Sequence, residues 1–396
     1  MAKKILLATT LNWPSTTRLA GAFASLGCRV EAVCPPGHVL RISRYLGCAH
    51  RYRPLHPLSS FAAALANAKP DLVIPCDDRA VSHLLALHQA GCNPETAALL
   101  VRSLGRIESH PILLARSPAI AAARAEGVAA PLTVAVGTEG ELIQALEISG
   151  FPAVVKADAS WGGDNVAIVR TPEEARRAFR KLHGPPSRLR SVVRSVLRND
   201  PHFLHAAWAP KAATVNVQHF IPGKPATSAL ACRDGEVLAA LHMDVVDWRG
   251  KTGPACLIKR VDCPVMDEAA RRIARHFALN GLHGLDFVRD DCGVPHLIEV
   301  NPRATQVCHL VLGAGNDLAA ALVGEGPRPV TTEAETVALF PQAWENRPEG
   351  PCVSGIFSDV PWDDSAVLQA IAGHRLRVAP QSRSAAPPLQ PQIARS

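Results

Sequence analysis

Glu299, Asn301 and Arg303 stand at alternate positions in LIEVNPR, directly after an apolar run. Side chains alternate faces along a strand. If strand geometry holds through Arg303, an acid, an amide and a guanidinium share one face. Two oxygen donors beside a fixed cation suit a hard metal and the anion it carries. The competing reading is a polar strand end entering a turn at Pro302. A second acid, Asp286, lies in GLDFV, thirteen positions before Glu299, with RDDCG between them. Two adjacent antiparallel strands would bring both carboxylates to one sheet face. Like charges that close repel unless a cation lies between them. Further upstream, Lys156 ends the run AVVK and precedes a loop holding Gly162 and Gly163. A lysine beside backbone that can approach without a Cβ suits phosphate binding. A surface lysine beside a turn is the plainer alternative.

These residues need elements to carry them. The first hundred positions alternate strand-like runs (Ile5 to Thr9, Val30 to Cys34, Leu72 to Cys76, a weaker one near Tyr52) with helical segments (Thr16 to Leu26, Leu58 to Ala68, Arg79 to Ala90). That rhythm implies a small parallel sheet with helices on both faces. Ligands bind at the carboxyl ends of such strands, here TTLNWPSTT and PCDD. No G-x-G-x-x-G is present there, which argues against a dinucleotide site. Asp77 and Asp78 could hold a substrate amine, although helix capping is the commoner use. Next come a helix from Ser117 to Glu126, a strand at Leu132 to Val136 and a helix from Glu139 to Ser149. A hairpin of Ala153 to Val155 and Val166 to Val169 follows. A third unit opens near Thr214, turns at Asp234-Gly235, and includes helices Met266 to Leu279 and Asp317 to Val323.

Composition bounds the class. With 396 residues the chain suits two or three domains, and 47% hydrophobic against 19% charged residues marks a globular, core-forming protein. No apolar stretch reaches the roughly 20 residues of a membrane-spanning helix. The start, MAKKILLATT, reads as a buried strand and not as a secretion signal. Eleven cysteines without C-x-x-C spacing fit reduced thiols in a cytoplasm. Between Arg176 and Arg198 there are eight Lys or Arg residues and no acid, with an amphipathic basic helix expected at Arg188 to Arg198. A solvated face, an anionic substrate or a membrane surface would each account for it. At 5% aromatics and with no binding motif, nucleic acid is not expected as a partner. The tail from about Gln381 reads as disordered.

The ordered set of lysine, glycine loop, Q-x-F-I-x-G, Asp and Glu-x-Asn-x-Arg resembles the ATP-grasp superfamily, in particular biotin-carboxylase-like and carbamoyl-phosphate-synthase-like proteins. The matching segments are RSPAIAAARAEGV, VVKADASWGGDNVAIV, VQHFIPG, GLDFV and LIEVNPR. The resemblance covers roughly Arg116 to Val323. It implies an α/β chain: an N-terminal parallel-sheet domain that precedes ATP-grasp folds (1–108), then a two-lobed ATP-grasp α+β fold. The small lobe would be 109–213 and the large lobe 214–330, with an extension over 331–380 and a tail over 381–396. It implies ATP and Mg2+ (or Mn2+) as cofactors. Arg116, Lys156, Gly162 and Gly163 would meet phosphates, and Gln218, Phe220 and Ile221 adenine. Asp286, Glu299 and Asn301 would bind metal, and Arg303 with Lys156 would act in catalysis. The implied reaction joins a carboxylate to an amine (or thiol) through an acyl phosphate. A phosphotransferase or carboxylase-like enzyme and a non-catalytic ATP-binding module are the alternatives. The lid reads GGDNV, arginine replaces lysine at Arg116, and Gln218 replaces a frequent glutamate. Related enzymes often form homodimers.

The acceptor pocket is expected between the first sheet and the third unit. Trp248 to Arg260, Thr305 and Gln306 are candidate linings, with Lys251, Lys259 and Arg260 as possible anion contacts. His219, His242, His283 and His309 fall nearby and are expected to be packed or hydrogen-bonded side chains.

Overall fold

The computed structural model describes residues 2–158, 166–184, 214–250, 253–346 and 355–376. The chain opens with β1 (Lys4–Ala8), α1 (Ser15–Ser25), β2 (Arg29–Cys34), β3 (Cys48–Arg51), α2 (Pro57–Ala68), β4 (Leu72–Pro75), α3 (Asp78–Gln89) and α4 (Pro94–Leu104). The four strands form a parallel sheet in the order β3-β2-β1-β4. Its inner strand β1 is apolar on both faces, as a strand covered on both sides requires. Ile5 and Leu7 point into one buried cluster, Leu6 and Ala8 into another.

Two short helices, α5 (His110–Leu113) and α6 (Arg116–Ala125), lead to β5 (Thr133–Val136), α7 (Glu139–Ser149), β6 (Ala153–Ala157), β7 (Val166–Val169), α8 (Pro172–His183) and β8 (Val215–His219). The strands make a four-stranded sheet in the order β5-β8-β6-β7. The expected hairpin is present, with Lys156 opposite Val166. Helix α8 starts on Thr171, whose hydroxyl accepts from the Glu174 amide, and carries Glu173 and Glu174 in its first turn and basic side chains in its last. Both features favour the helix through its end groups and dipole. β8 pairs with β5 and β6, so the strand after residue 214 belongs to the sheet that precedes it in sequence.

The remaining elements are β9 (Lys224–Arg233), β10 (Glu236–Trp248), β11 (Ala255–Arg260), α9 (Pro264–Phe277), β12 (Gly281–Arg289), β13 (Pro295–Asn301), α10 (Leu318–Val323), β14 (Thr336–Leu339), α11 (Gln342–Asn346), β15 (Ile356–Asp359) and α12 (Ser365–Leu376). Their strands form a seven-stranded sheet, β13-β12-β9-β10-β11-β14-β15. The β9–β10 hairpin turns at Asp234 (φ 51°) and Gly235 (φ 79°), the left-handed pair that a two-residue hairpin requires. β14 and β15, from the Pro-rich region, extend this sheet by pairing with β11 and with each other. Helix α9 presents Met266, Ala270, Ile273 and Phe277 to the core beneath β9, β12 and β13.

One buried cluster runs from Ile5, Leu7 and Phe23 of the first unit to Met243 and Ile258 of the large sheet and Leu310 of the loop after β13. The two are therefore packed as one body along that face. No helix among the described residues is long and apolar enough to cross a membrane. The basic segment Arg188 to Arg198, the glycines at 162 and 163, Lys251 and the tail from 381 lie outside the described residues.

Candidate nucleotide and acyl-transfer site

The carboxylates of Asp286 and Glu299 are brought together by strand pairing. β12 and β13 are antiparallel, with Asp286 directly opposite Glu299. Just beyond, the register slips: Phe287 faces Leu297, which leaves Ile298 as an extra residue on β13. Such a bulge turns neighbouring groups to one side and is frequent beside active sites. Here both Ile298 and Glu299 line the same cavity, whereas Leu297 and Val300 enter the core. The Ile298 carbonyl accepts from Lys156 Nζ at 3.0 Å and from Gln218 Nε2 at 3.4 Å. It thereby ties the small sheet to the large one.

Lys156 is almost wholly buried, at 3% exposure. Burial pushes its ammonium down to about 8, against an upward pull from Glu299. Arg116, at the start of α6, is also buried and bridges the lobes. Its Nη2 donates to Glu299 Oε1 at 2.8 Å and its Nη1 to the Ala157 carbonyl. Its backbone N–H donates to Asp158 Oδ1 at 3.2 Å, and Asn216 Nδ2 donates to the same oxygen at 2.9 Å. Asp158 was not singled out in the sequence. Its spacing of two from Lys156, one residue past the end of β6, is the signal that could have found it.

Asp286 accepts from Thr227 Oγ1 at 2.9 Å and from Asn301 Nδ2 at 2.9 Å. Its carboxyl is held above the usual range, first by burial and then by the Glu299 carboxylate. A carboxyl pushed that way favours a bound cation in place of a proton. Two carboxylates and an amide form an all-oxygen donor set of the kind Mg2+ or Mn2+ accepts, so Asp286, Glu299 and Asn301 fit such an ion. Asn301 Oδ1 accepts from Arg303 Nη2 at 3.1 Å, which links the amide to the guanidinium.

Arg303 corrects one expectation. β13 ends at Asn301, and the Arg303 amide closes a tight turn onto the Asn301 carbonyl at 2.8 Å across Pro302. Strand alternation therefore does not carry Arg303 to the Glu299 face. Its side chain instead reaches Asp78 of the first unit, Nε to Oδ1 at 2.8 Å. The loop after Arg303 is held there too, through the Ala304 N–H to the Pro75 carbonyl at 2.9 Å. It also packs onto β12 at Gly284, where any Cβ would collide with the Thr305 methyl.

Asp77 and Asp78 divide their roles. Asp77 caps α3 through the Ala80 amide and accepts from Thr9 and Thr10. Asp78 faces the cavity and takes Arg303. Gln218, Phe220 and Ile221 line the cavity, with Gln218 Nε2 donating to Thr133 Oγ1 at 2.8 Å. Thr305, Gln306 and Trp248 line it as well, whereas Lys259 pairs with Glu335 at the surface and Lys259 and Arg260 are not among the lining residues. Of the four histidines, His242 joins Ser228 to Asp267, His283 meets the Asn280 carbonyl and His309 meets Asp359. His219 lines the cavity and is bound to the Ser149 carbonyl. The cavity holds about 510 Å³ and reaches from Gln218 and Lys156 to Trp13 and Asp78 of the first unit. That is within the range of small-molecule sites.

Known proteins share this fold. Residues 124–307 match the family model described as an ATP-grasp domain. Over 177 residues the chain is 27% identical to acetyl-CoA carboxylase 1 of Arabidopsis thaliana, a match covering 44% of this chain and 7% of that protein. The fold is similar to N5-carboxyaminoimidazole synthetase from Staphylococcus aureus in complex with ADP, at TM-score 0.58 and 12% identity, covering 83% of this chain and 79% of that one. It is similar to the biotin carboxylase domain of Hydrogenobacter thermophilus 2-oxoglutarate carboxylase, solved with MgADP and bicarbonate, at TM-score 0.57 and 15% identity over 83% and 71% of the two chains. An L-amino acid ligase from Bacillus licheniformis superposes at TM-score 0.53 and 13% identity over 81% and 74%. Residues 124–307 thus match an ATP-grasp domain, and most of the chain shares the fold of these ADP-bound enzymes and of the amino acid ligase.

Proposed function

We propose that this protein is an ADP-forming ligase that uses Mg-ATP to activate a carboxylate as an acyl phosphate and passes the acyl group to an amine. The observation that carries this reading is the convergence of Lys156, Arg116, Asp286, Glu299, Asn301 and Arg303 on one cavity between the two lobes and the first unit. Lys156 and Arg116 would neutralise phosphate oxygens from the small-lobe side. Asp286, Glu299 and Asn301 would hold Mg2+, which when bound supplies charge neutralisation to the phosphates. Gln218, Phe220 and Ile221 would border the adenine. A substrate carboxylate oxygen would attack the γ-phosphorus, and ADP would leave. The amine nitrogen would then attack the acyl carbon, and phosphate would leave with the bonding pair. Arg303, held from the first unit, would face the negative charge that develops on the acyl oxygen.

The domain division of 1–108, 109–213, 214–330 and 331–380 is part of the same reading, as are a soluble cytoplasmic setting and small-molecule partners. A carboxylase-like reaction with bicarbonate as the acid is the second reading. It is favoured by the matched segment, which is similar to an acetyl-CoA carboxylase and to a biotin carboxylase domain.

The test is ADP release from Mg-ATP by wild type and by Glu299→Ala, with pooled small acids, bicarbonate and amines. Release by wild type alone, dependent on both an acid and an amine, is the expected result. Dependence on bicarbonate without another acid would select the carboxylase-like reading. Undiminished turnover by Glu299→Ala would overturn the metal-site assignment.

A further inference from the structure

A second constellation lies at the opposite edge of the first sheet, away from β4 and the cavity. Cys48 and His50 occupy alternate positions on the four-residue edge strand β3, so both side chains leave the same face. The neighbouring strand β2 runs parallel, with Glu31 opposite Cys48 and Val33 opposite His50. Glu31 therefore projects between the two. One ligand atom from each of Glu31, Cys48 and His50 lies within 4.8 Å of the others.

Glu31 is the unusual member. A carboxylate in mid-strand is only 3% exposed. Its Oε2 meets His50 Nε2 at 2.9 Å and its Oε1 meets Arg29 Nε at 3.2 Å. Burying an ionised carboxylate is costly unless its charge is met. Arg29 is 62% exposed and offers a partly solvated countercharge. The oxygen turned towards Cys48 and His50 is met by a single imidazole nitrogen.

We infer that Glu31, Cys48 and His50 form a site for a borderline-soft divalent cation of the zinc class. A thiolate, a carboxylate and a neutral imidazole carry two negative charges, which such an ion cancels. Sulfur and imidazole donors select zinc-like ions over magnesium. Three protein ligands leave a fourth tetrahedral position for water. Cys48 is exposed, which gives the ion a path in. Arg29 would keep its hold on the other carboxylate oxygen and so orient the ligand. Binding would tie the edge strand β3 to β2 through a link between the two strands of the ladder. Any ion held only by the folded state also stabilises it.

The test uses full-length protein stripped with a chelator and titrated with Co2+, a spectroscopic stand-in for zinc. The expected result is a sulfur-to-cobalt absorption band in the near ultraviolet that saturates at one equivalent and is displaced by zinc. Cys48→Ser should lose this band, and His50→Ala should bind more weakly, while Mg-ATP turnover of Cys48→Ser stays at the wild-type level. Circular dichroism of both variants checks that they fold. Absence of the band in wild type, or an unchanged band and stoichiometry in Cys48→Ser, would overturn the site. Because the readout is the metal spectrum, it is independent of whether the ligase reading holds.

Discussion

Arg303 Nε lies 2.8 Å from Asp78 Oδ1, an ion pair between the loop after β13 and the first turn of α3 in the N-terminal unit. Both side chains are largely buried, at 19% and 17% exposure. The pair is directional, because the guanidinium also spans to Asn301 Oδ1 and to the Ala304 carbonyl. The N-terminal unit therefore fixes where the arginine points. Replacing Asp78 by Asn keeps the shape and removes the charge. Losing one charge-assisted hydrogen bond is worth about 1.5–3 kcal/mol, or roughly tenfold to a hundredfold in rate if the whole loss falls on the transition state. Asp78→Asn should lower kcat by that factor with little change in the KM for ATP. Steady-state ADP release resolves the two parameters, and an unchanged kcat would show that Arg303 is positioned by other means.

Lys156 gives the site a pH dependence of known sign. Its ammonium is held down at about 8 by burial, so in the free protein it is charged below that pH and neutral above it. A neutral amine attracts phosphate less. ATP affinity should be highest below pH 8 and fall as pH rises past it, since binding the nucleotide favours the protonated lysine. Lys156→Met should bind ATP weakly with a flat profile over that range. Calorimetric Kd values at several pH values separate the two proteins. An equally steep profile in the variant would place the titrating group elsewhere.

How far these arrangements were legible depended on whether they rest on local periodicity. Asp286 opposite Glu299 follows from two short strands and a tight turn, because alternation leaves few registers that keep Leu297 and Phe287 in the core. The first sheet was legible for the same reason, through Ile5 to Ala8 and Val30 to Cys34. The bulge at Ile298 was not, since a one-residue slip leaves no mark in a run as apolar as LI. That slip delivers the carbonyl that Lys156 grips. Nor could alternation locate Arg303, because Pro302 ends the strand and a contact across 225 positions aims the side chain. The groups proposed to meet phosphates were chosen by motif order, and Asp158 was passed over as one of two aspartates in KADASWGGD.

Buried neutral histidines predict the response to acid. Burial lowers His110 to about 3, and His38 and His283 to about 4, from an ordinary value near 6.5. A depressed folded-state value means the unfolded chain binds the proton first. Stability contributed by these rings is therefore complete above about pH 6.5 and is lost as pH falls from there towards 4. Thermal melts should show Tm falling through that window. His110→Phe, which cannot protonate, should flatten the fall even if its Tm at pH 7.5 is lower. An identical slope in the variant would assign the acid sensitivity to other groups.

Asp158 offers the sharpest separation of binding from chemistry. Its Oδ1 accepts from the Arg116 amide and from Asn216 Nδ2, whose residue is fully buried, and lies 3.7 Å from Arg116 Nη1. Removing it leaves the first turn of α6 without that acceptor and frees the Asn216 amide. The arginine it steadies is proposed to meet phosphates, so the damage should appear in nucleotide binding. Asp158→Ala should raise the KM for ATP by about tenfold, the effect of roughly 1.4 kcal/mol, while kcat falls much less. Asp158→Asn retains an acceptor oxygen and should recover most of the loss. If both variants instead lose kcat at unchanged KM, Asp158 acts in the chemical step and Arg116 is not its route of action.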